Sequence, residues 1–195
     1  MFDNLKKYRV ILASNSPRRK ELLTGLGIEY EVRALPDVDE SYPETLQGAD
    51  IPLYIAKEKA DAYRSVMESG ELMITADTIV WLDKKVLGKP ENREDALRML
   101  RDMSGRTHEV FTGVCITTTE WQRSFTAQTE VRFSELSEEE IVYYVDKFRP
   151  MDKAGAYGVQ EWIGFIGVEN ISGSYYNIMG LPVQRLYKEL IKIDN

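Results

Sequence analysis

The apolar and polar positions of this chain fall into blocks that predict strands and helices in succession. An apolar run at 10–13 predicts a short buried strand, and a polar turn follows it. Ser16 suits the N-cap of a helix and Pro17 suits its first position. Gly25 or Gly27 ends that helix. The sequence therefore opens with a strand, a tight turn and a helix whose first N–H groups face the turn.

A helical spacing of apolar residues recurs further along the chain. Residues 52–69 place apolar side chains three and four positions apart, which predicts a helix with one buried face. Asn92 suits the N-cap of the next helix, and Ser137 with Glu140 forms a capping box for another. The C-terminal segment predicts a last helix that ends near residue 193.

Strand-like patterns occupy the segments between these helices. Residues 72–82 are mostly apolar on both faces, which predicts a long buried strand, whereas 123–133 alternates and predicts one wet face. Further strands are predicted at 10–13, 30–34, 108–119 and near 165–171, with a hairpin turn at 83–85. Helices and strands alternate at first and antiparallel pairs follow, so we predict an α/β fold with a long mixed sheet flanked by helices.

Length and charge narrow the function classes. The 195 residues predict a single domain over 1–195, or one domain with two lobes around a cleft. A net charge of −7 argues against a nucleic-acid polymer as partner. Cys115 is the only cysteine, so no internal disulfide can form. No stretch has the length of a membrane span and no signal core is seen, so we expect a cytoplasmic protein that binds no membrane.

The turn before the first helix carries an unusual charge. Arg18, Arg19 and Lys20 place three cations in the first helical turn, where the helix dipole favours anions. Free helix N–H groups beside two guanidinium groups are typical of a phosphate site. A solvated basic turn explains the same pattern, and the spacing alone does not separate the two.

Asp77 interrupts the apolar strand at 72–82. A buried carboxylate needs a cation, a metal or several hydrogen-bond donors, so we interpret Asp77 as functional. Its candidate cationic partners are Lys89, Lys57 and Lys59. The alternative is an aspartate that caps the local backbone at a strand end.

Glu40 closes an acidic segment that also contains Asp37 and Asp39. Such a cluster can hold Mg²⁺ together with a second carboxylate and substrate phosphates, although a solvated acidic loop is the commoner explanation. With the basic turn and Asp77, these residues suit metal-assisted attack on a phosphate ester or anhydride.

The remaining candidates favour structural roles. His108 is the only histidine, which excludes a zinc site of several histidines, and its strand position predicts a half-buried structural residue. Cys115 predicts a core thiol. Four aromatic residues could line a base pocket, although core packing is the commoner role: Tyr157, Trp162, Tyr175 and Tyr176.

Six motifs occur in an order that resembles the Maf proteins, a family of nucleoside triphosphate pyrophosphatases that clean nucleotide pools, including modified nucleotides. The motifs are SNSPRR at 14–19, ADT at 76–78, GKP at 88–90, SGRTH at 104–108, DKAGAYG at 152–158 and GSYYN at 173–177. The resemblance extends from about residue 8 to the C-terminus. It implies a fold similar to inosine triphosphate pyrophosphatase, with two lobes around a deep cleft.

The resemblance also implies a reaction and a site. The reaction is hydrolysis of a nucleoside triphosphate to the monophosphate and pyrophosphate, with Mg²⁺ or Mn²⁺ and often in a homodimer. Asp77 would be the acid–base residue and would share the metal with Glu40. The substrate-binding positions would be Ser14, Arg18, Arg19, Lys57, Thr78, Lys89 and Gln160.

Three positions resemble the branch of the family that acts on dTTP and UTP. That branch has Arg, Thr and Gln where this chain has Arg18, Thr78 and Gln160, whereas the 7-methyl-GTP branch has Trp, Gln and Glu. The Gln160 amide can both donate and accept, which matches the N3–H and O4 of thymine or uracil.

Two other functions remain open at this point. A nucleotide-sensing protein that arrests cell division would need the same pocket and would bind a triphosphate without releasing pyrophosphate. A phosphotransferase is the weaker alternative, because the chain has no Gly-x-x-x-x-Gly-Lys-Ser/Thr phosphate loop.

Overall fold

A mixed sheet of seven strands organises the computed structural model, which describes residues 2–33 and 38–193. The strands are β1 (Arg9–Leu12), β2 (Glu31–Val32), β3 (Glu71–Leu82), β4 (Lys85–Leu87), β5 (Thr107–Thr117), β6 (Gln122–Phe133) and β7 (Val168–Ser172). Their order in the sheet is β2-β1-β3-β5-β6-β7, and β4 pairs with β3. The α-helices are α1 (Pro17–Gly25), α2 (Asp50–Arg64), α3 (Arg93–Met103), α4 (Glu138–Phe148), α5 (Trp162–Gly167), α6 (Tyr175–Ile178) and α7 (Val183–Leu190). The predicted fold class is confirmed.

The opening strand, turn and helix form as the sequence predicts. β1 pairs in parallel with both β2 and β3, so α1 is the crossover between two parallel strands. The Ser16 side chain accepts a hydrogen bond from the Arg19 N–H, which caps α1. Gly27 has a φ of 73°, a left-handed conformation that ends the helical path at little cost only for glycine.

Helix α2 lies directly against the sheet. A Cβ atom on Gly113 of β5 would lie 2.4 Å from the Pro52 carbonyl oxygen, so only glycine allows this approach. The helix ends at Arg64, earlier than the predicted 69, because the chain must turn before it enters β3. Met67 lies beyond the helix and still packs against a buried cluster formed by Ile11, Ala13, Tyr63 and Met73.

The N-caps and the hairpin turn predicted for the later elements also form in the structure. Asn92 accepts a hydrogen bond from the Asp95 N–H, and Ser137 with Glu140 forms the predicted capping box. The hairpin from β3 to β4 turns through Asp83 and Lys84, whose φ values of 50° and 63° suit a tight two-residue turn.

The predicted strand near 165–171 is wrong over its first part. Residues Trp162–Gly167 form α5, and β7 begins only at Val168. Short apolar runs do not distinguish a strand from a helix by periodicity, and Phe165 is 76% exposed rather than buried. The last helix, α7, ends at Leu190, three residues before the predicted position.

The described chain divides into two compact units. The first unit contains Met1–Asp77, Thr112–Ala127 and Gly180–Asn195, and the second contains Thr78–Phe111 and Gln128–Met179. Each unit therefore joins segments that are distant in the sequence, and the boundary in β3 falls between Asp77 and Thr78. The single domain over 1–195 stays a prediction. Over 2–33 and 38–193, every helix is too short or too polar to cross a bilayer.

Candidate active site

The turn after β1 is held together by the Arg19 side chain. Ser14 is buried, and its Oγ accepts hydrogen bonds from the Ser16 N–H at 3.2 Å and from Arg19 Nη1 at 3.5 Å. Arg19 Nε also donates to the Gly180 carbonyl oxygen at 2.8 Å. Two groups of the first unit, the Gly180 carbonyl and the Ser14 hydroxyl, thus hold this guanidinium in place. Ser14 also stabilises the turn through its bond with the Ser16 N–H.

The electrostatics of Arg19 are those of a desolvated cation. Burial lowers the pKa of its guanidinium, the carboxylates of Asp77 and Glu40 act in the opposite direction, and Arg18 lowers it further. A cation in the first turn of α1 also opposes the helix dipole. The basic turn and the two acidic residues therefore act on each other in the first unit, where an anionic ligand would be stabilised.

Lys59 bridges the two predicted metal-binding carboxylates. Its Nζ lies 2.8 Å from Asp77 Oδ1 and 2.8 Å from Glu40 Oε1. The side chains of Lys59 and Asp77 are only 14% and 13% exposed, whereas Glu40 is 49% exposed. Two carboxylates that are distant in sequence thus meet at one positive charge.

This contact selects Lys59 from the three candidate partners of Asp77. Lys59, rather than Lys57, holds Asp77 in the first unit. Lys57 is half-buried, and its charge opposes the burial that raises the pKa of the Cys115 thiol. A signal for Lys59 was present, because it lies four residues after Ile55 and four before Tyr63, two apolar positions on the buried face of α2.

The donor chemistry of Glu40 and Asp77 suits a hard divalent cation. Carboxylate oxygens are preferred ligands of Mg²⁺ and Mn²⁺, and such ions use one or two carboxylates plus substrate phosphates. Outside 34–37 and the chain ends, no group of three or more acidic, histidine or cysteine side chains could hold a metal alone. Asp39 instead accepts two hydrogen bonds from Ser41, and Asp37 lies outside the described residues.

The second unit contains the three other predicted positions. Thr78 follows Asp77 on β3 and is half-buried, whereas Lys89 is exposed just after β4. Gln160 lies in the loop before α5, and its Oε1 is buried with no hydrogen-bond partner among the described residues. Since a buried carbonyl oxygen normally has a donor, this atom is suited to accept a hydrogen bond from a ligand.

Comparison with known proteins identifies the family. The profile of the family described as Maf-like protein matches residues 9–193. The chain belongs to the Maf family. A Bacteroides thetaiotaomicron relative named dTTP/UTP pyrophosphatase is 73% identical over 193 residues, covering 99% of this chain and 100% of the relative. A Phocaeicola vulgatus relative of the same name is 67% identical over 193 residues, with coverage of 99% and 100%.

A solved structure shares the fold. The Staphylococcus aureus Ham1 protein matches this Maf chain with a TM-score of 0.52 and 15% sequence identity. The match covers 93% of this chain and 99% of the Ham1 chain. At that identity the likeness concerns the backbone arrangement alone.

The remaining candidates in this Maf protein are mostly structural. His108 is fully buried rather than half-buried, and its Nε2 lies 2.8 Å from the Tyr157 hydroxyl oxygen. Burial lowers the pKa of His108 to about 4, so the ring is neutral near pH 7. Cys115 is confirmed as a core thiol, and burial raises its pKa. Core packing is wrong for Tyr175 and Tyr176, which are 38% and 49% exposed.

Proposed function

We propose that this Maf protein hydrolyses nucleoside triphosphates to monophosphates and pyrophosphate, with dTTP and UTP as its preferred substrates. Relatives named dTTP/UTP pyrophosphatase cover nearly the whole chain at high identity, which supports this reaction. The structural observation that carries the proposal is the meeting of Asp77 and Glu40 at Lys59, with the Arg19 guanidinium acting on both carboxylates.

Asp77 orients the attacking water and takes its proton. Its carboxylate is held by Lys59, which fixes the direction of Oδ1. General-base catalysis by a positioned carboxylate contributes about 10²–10⁴-fold to such reactions. A divalent cation bound by Glu40 and Asp77 would polarise the phosphoryl oxygens and neutralise charge that develops on them. Lys59 then balances the negative charge that two carboxylates and a triphosphate bring together.

The cations of the first turn bind the phosphate chain. Arg18 and Arg19 stand at the N-terminus of α1, where the helix dipole would also favour a phosphate. Arg19 is already anchored by Gly180 and Ser14, so little side-chain entropy is lost when a phosphate binds. Lys89 supplies a further cation, and its side chain is exposed.

Gln160 reads the base, with Thr78 and Arg18 as the other branch-specific positions. Its buried Oε1 accepts from the N3–H of uracil or thymine, and its amide group donates to O4. Cytosine has no hydrogen on N3, so it leaves the buried oxygen without that donor. A site built to pair polar groups rejects a mismatched base strongly, because the buried groups then stay unsatisfied.

A homodimer and a cytoplasmic location, both expected from the sequence, complete the proposal, with no nucleic-acid polymer or membrane as partner. The nucleotide-sensing alternative needs binding without turnover. No contact of the described residues favours it over catalysis.

Pyrophosphate release over a nucleotide panel tests the proposal. With Mg²⁺ or Mn²⁺ at equal concentration, we expect rapid hydrolysis of dTTP and UTP, slower hydrolysis of CTP and poor hydrolysis of ATP. Faster hydrolysis of GTP or 7-methyl-GTP than of UTP would overturn the base assignment. Binding of every triphosphate without pyrophosphate release would favour the sensor.

A further inference from the structure

The loop that carries Gln160 is fixed by a buried polar network in the second unit. Tyr144 of α4 is fully buried, and its hydroxyl donates to Glu161 Oε2 while accepting from the Gly158 N–H at 3.0 Å. Lys153 is 8% exposed, and its Nζ lies 3.1 Å from Glu161 Oε1 and 2.8 Å from Asp152 Oδ1. The network therefore holds the residues on both sides of Val159 and Gln160.

Close packing leaves this loop little freedom. A Cβ on Gly158 would lie 2.8 Å from Glu161 Cδ, and a Cβ on Gly164 would lie 1.9 Å from the Val159 carbonyl oxygen. The Glu161 N–H also donates to the Gly158 carbonyl oxygen at 3.0 Å, which closes the turn. The backbone at Gln160 is thus determined by its neighbours before any ligand binds.

Stability alone is a weak reason for such a network. A buried ion pair loses much of its Coulomb attraction to desolvation, and apolar replacements are often as stable. In some proteins, buried polar contacts instead specify one conformation of the chain around them. The segment held here carries an amide whose oxygen is buried and without a partner in the described part of the chain.

We infer that Tyr144 and Glu161 are positioning residues for base recognition: their hydrogen bonds to each other and to Gly158 hold Gln160 in the orientation that selects uracil and thymine over cytosine. This inference rests on the proposed function. Neither side chain needs to touch the substrate. An amide that is already held in its binding orientation loses less entropy when the base binds. It also cannot rotate to pair with the wrong base.

Tyr144→Phe tests the inference by removing only the hydroxyl that joins Glu161 to Gly158. The matched control is Tyr143→Phe on the same helix, because the Tyr143 hydroxyl contacts Lys147 and its side chain is 43% exposed. Loss of a buried hydrogen bond is worth about tenfold in an equilibrium. We expect the ratio of kcat/KM for UTP to that for CTP to fall about tenfold in Tyr144→Phe and to stay within twofold of wild type in Tyr143→Phe.

The same measurements separate positioning from a general loss of structure. In Tyr144→Phe we expect KM for UTP to rise while kcat stays within about threefold, since the reacting groups are unchanged. In a Gln160→Ala background, Tyr144→Phe should change the UTP-to-CTP ratio no further, because its effect passes through the amide. Glu161→Gln carries the same expectation should Tyr144→Phe not fold.

Two results would overturn the inference in different ways. In the first, Gln160→Ala abolishes the preference for UTP over CTP, whereas folded Tyr144→Phe or Glu161→Gln retains it. The network then does not position the Gln160 amide. If Gln160→Ala itself leaves the preference unchanged, the assignment of Gln160 as base reader fails, and the inference fails with it.

Discussion

Glu71 offers a prediction whose size follows from the structure. It is the first residue of β3 and is 1% exposed. Arg33 donates to both of its carboxylate oxygens, at 3.0 and 2.6 Å. Arg9 and the Glu68 N–H complete the set of donors. These contacts, those of Arg33 first, lower the pKa of Glu71 from its usual 4.5 to about 2, against the opposing effect of burial.

The shifted pKa sets a free-energy scale. At about 1.4 kcal/mol for each pH unit between the unfolded and folded pKa values, the ionised Glu71 contributes about 3 kcal/mol. Arg33 and Arg9 are 33% and 43% exposed, so solvent screens them and we expect about 2–3 kcal/mol. Because the folded pKa is the lower one, this stability is complete above pH 4.5 and is lost as the pH falls towards 2.

Urea unfolding of wild type and Glu71→Gln, followed by circular dichroism, measures this contribution. We expect the variant to be less stable by about 2–3 kcal/mol at pH 7, and by less than half of that at pH 3. Glu68→Gln is the control, because Glu68 contacts the same Arg9 at 2.7 Å but is 73% exposed. Glu68→Gln should lower the free energy of unfolding by less than about 1 kcal/mol at either pH.

An equal loss in Glu71→Gln at pH 7 and pH 3 would refute the reasoning. The loss would then come from the shape of the side chain or from its hydrogen bonds alone, and the ionised carboxylate would contribute nothing.

Three further predictions concern the candidate active site. Asp77→Asn should lower kcat for pyrophosphate release by about 10²-fold or more at saturating metal, and near wild-type turnover would give Asp77 another role. Arg19→Gln should raise KM for UTP while Tm stays within a few degrees. The lost contact with Gly180 is offset because a desolvated charge is removed. A large fall in Tm with unchanged KM would instead show that Arg19 has a structural role. Lys59→Met should lower kcat at least about tenfold and Lys57→Met less than threefold. Equal losses in the two lysine variants would contradict the assignment of Lys59.

Local features of this protein were predictable from its sequence because they depend on residues a few positions apart. Ser16 and Pro17 start α1, and Ser137 with Glu140 caps α4. The alternation along β6 places Phe125, Val131 and other apolar residues on the buried face. The ordered motifs also predicted the family, which the profile match over residues 9–193 confirms.

The choice of partners required the tertiary structure. Lys57 and Lys59 lie two positions apart on one helix, and only the packing of α2 decides which ammonium meets Asp77. Residues 162–167 were ambiguous because a short apolar run satisfies both a helix and a strand.

The polar contacts of Glu71 with Arg33 and of Glu161 with Tyr144 had no sequence signal at all. Arg33 is 38 positions from Glu71, and Tyr144 is 17 positions from Glu161. The sequence by itself determined most of the helices and strands, because short-range backbone preferences and apolar spacing act within each segment. Only the tertiary structure decided which charges meet, because the free energy of a buried charge depends on partners that other segments bring to it.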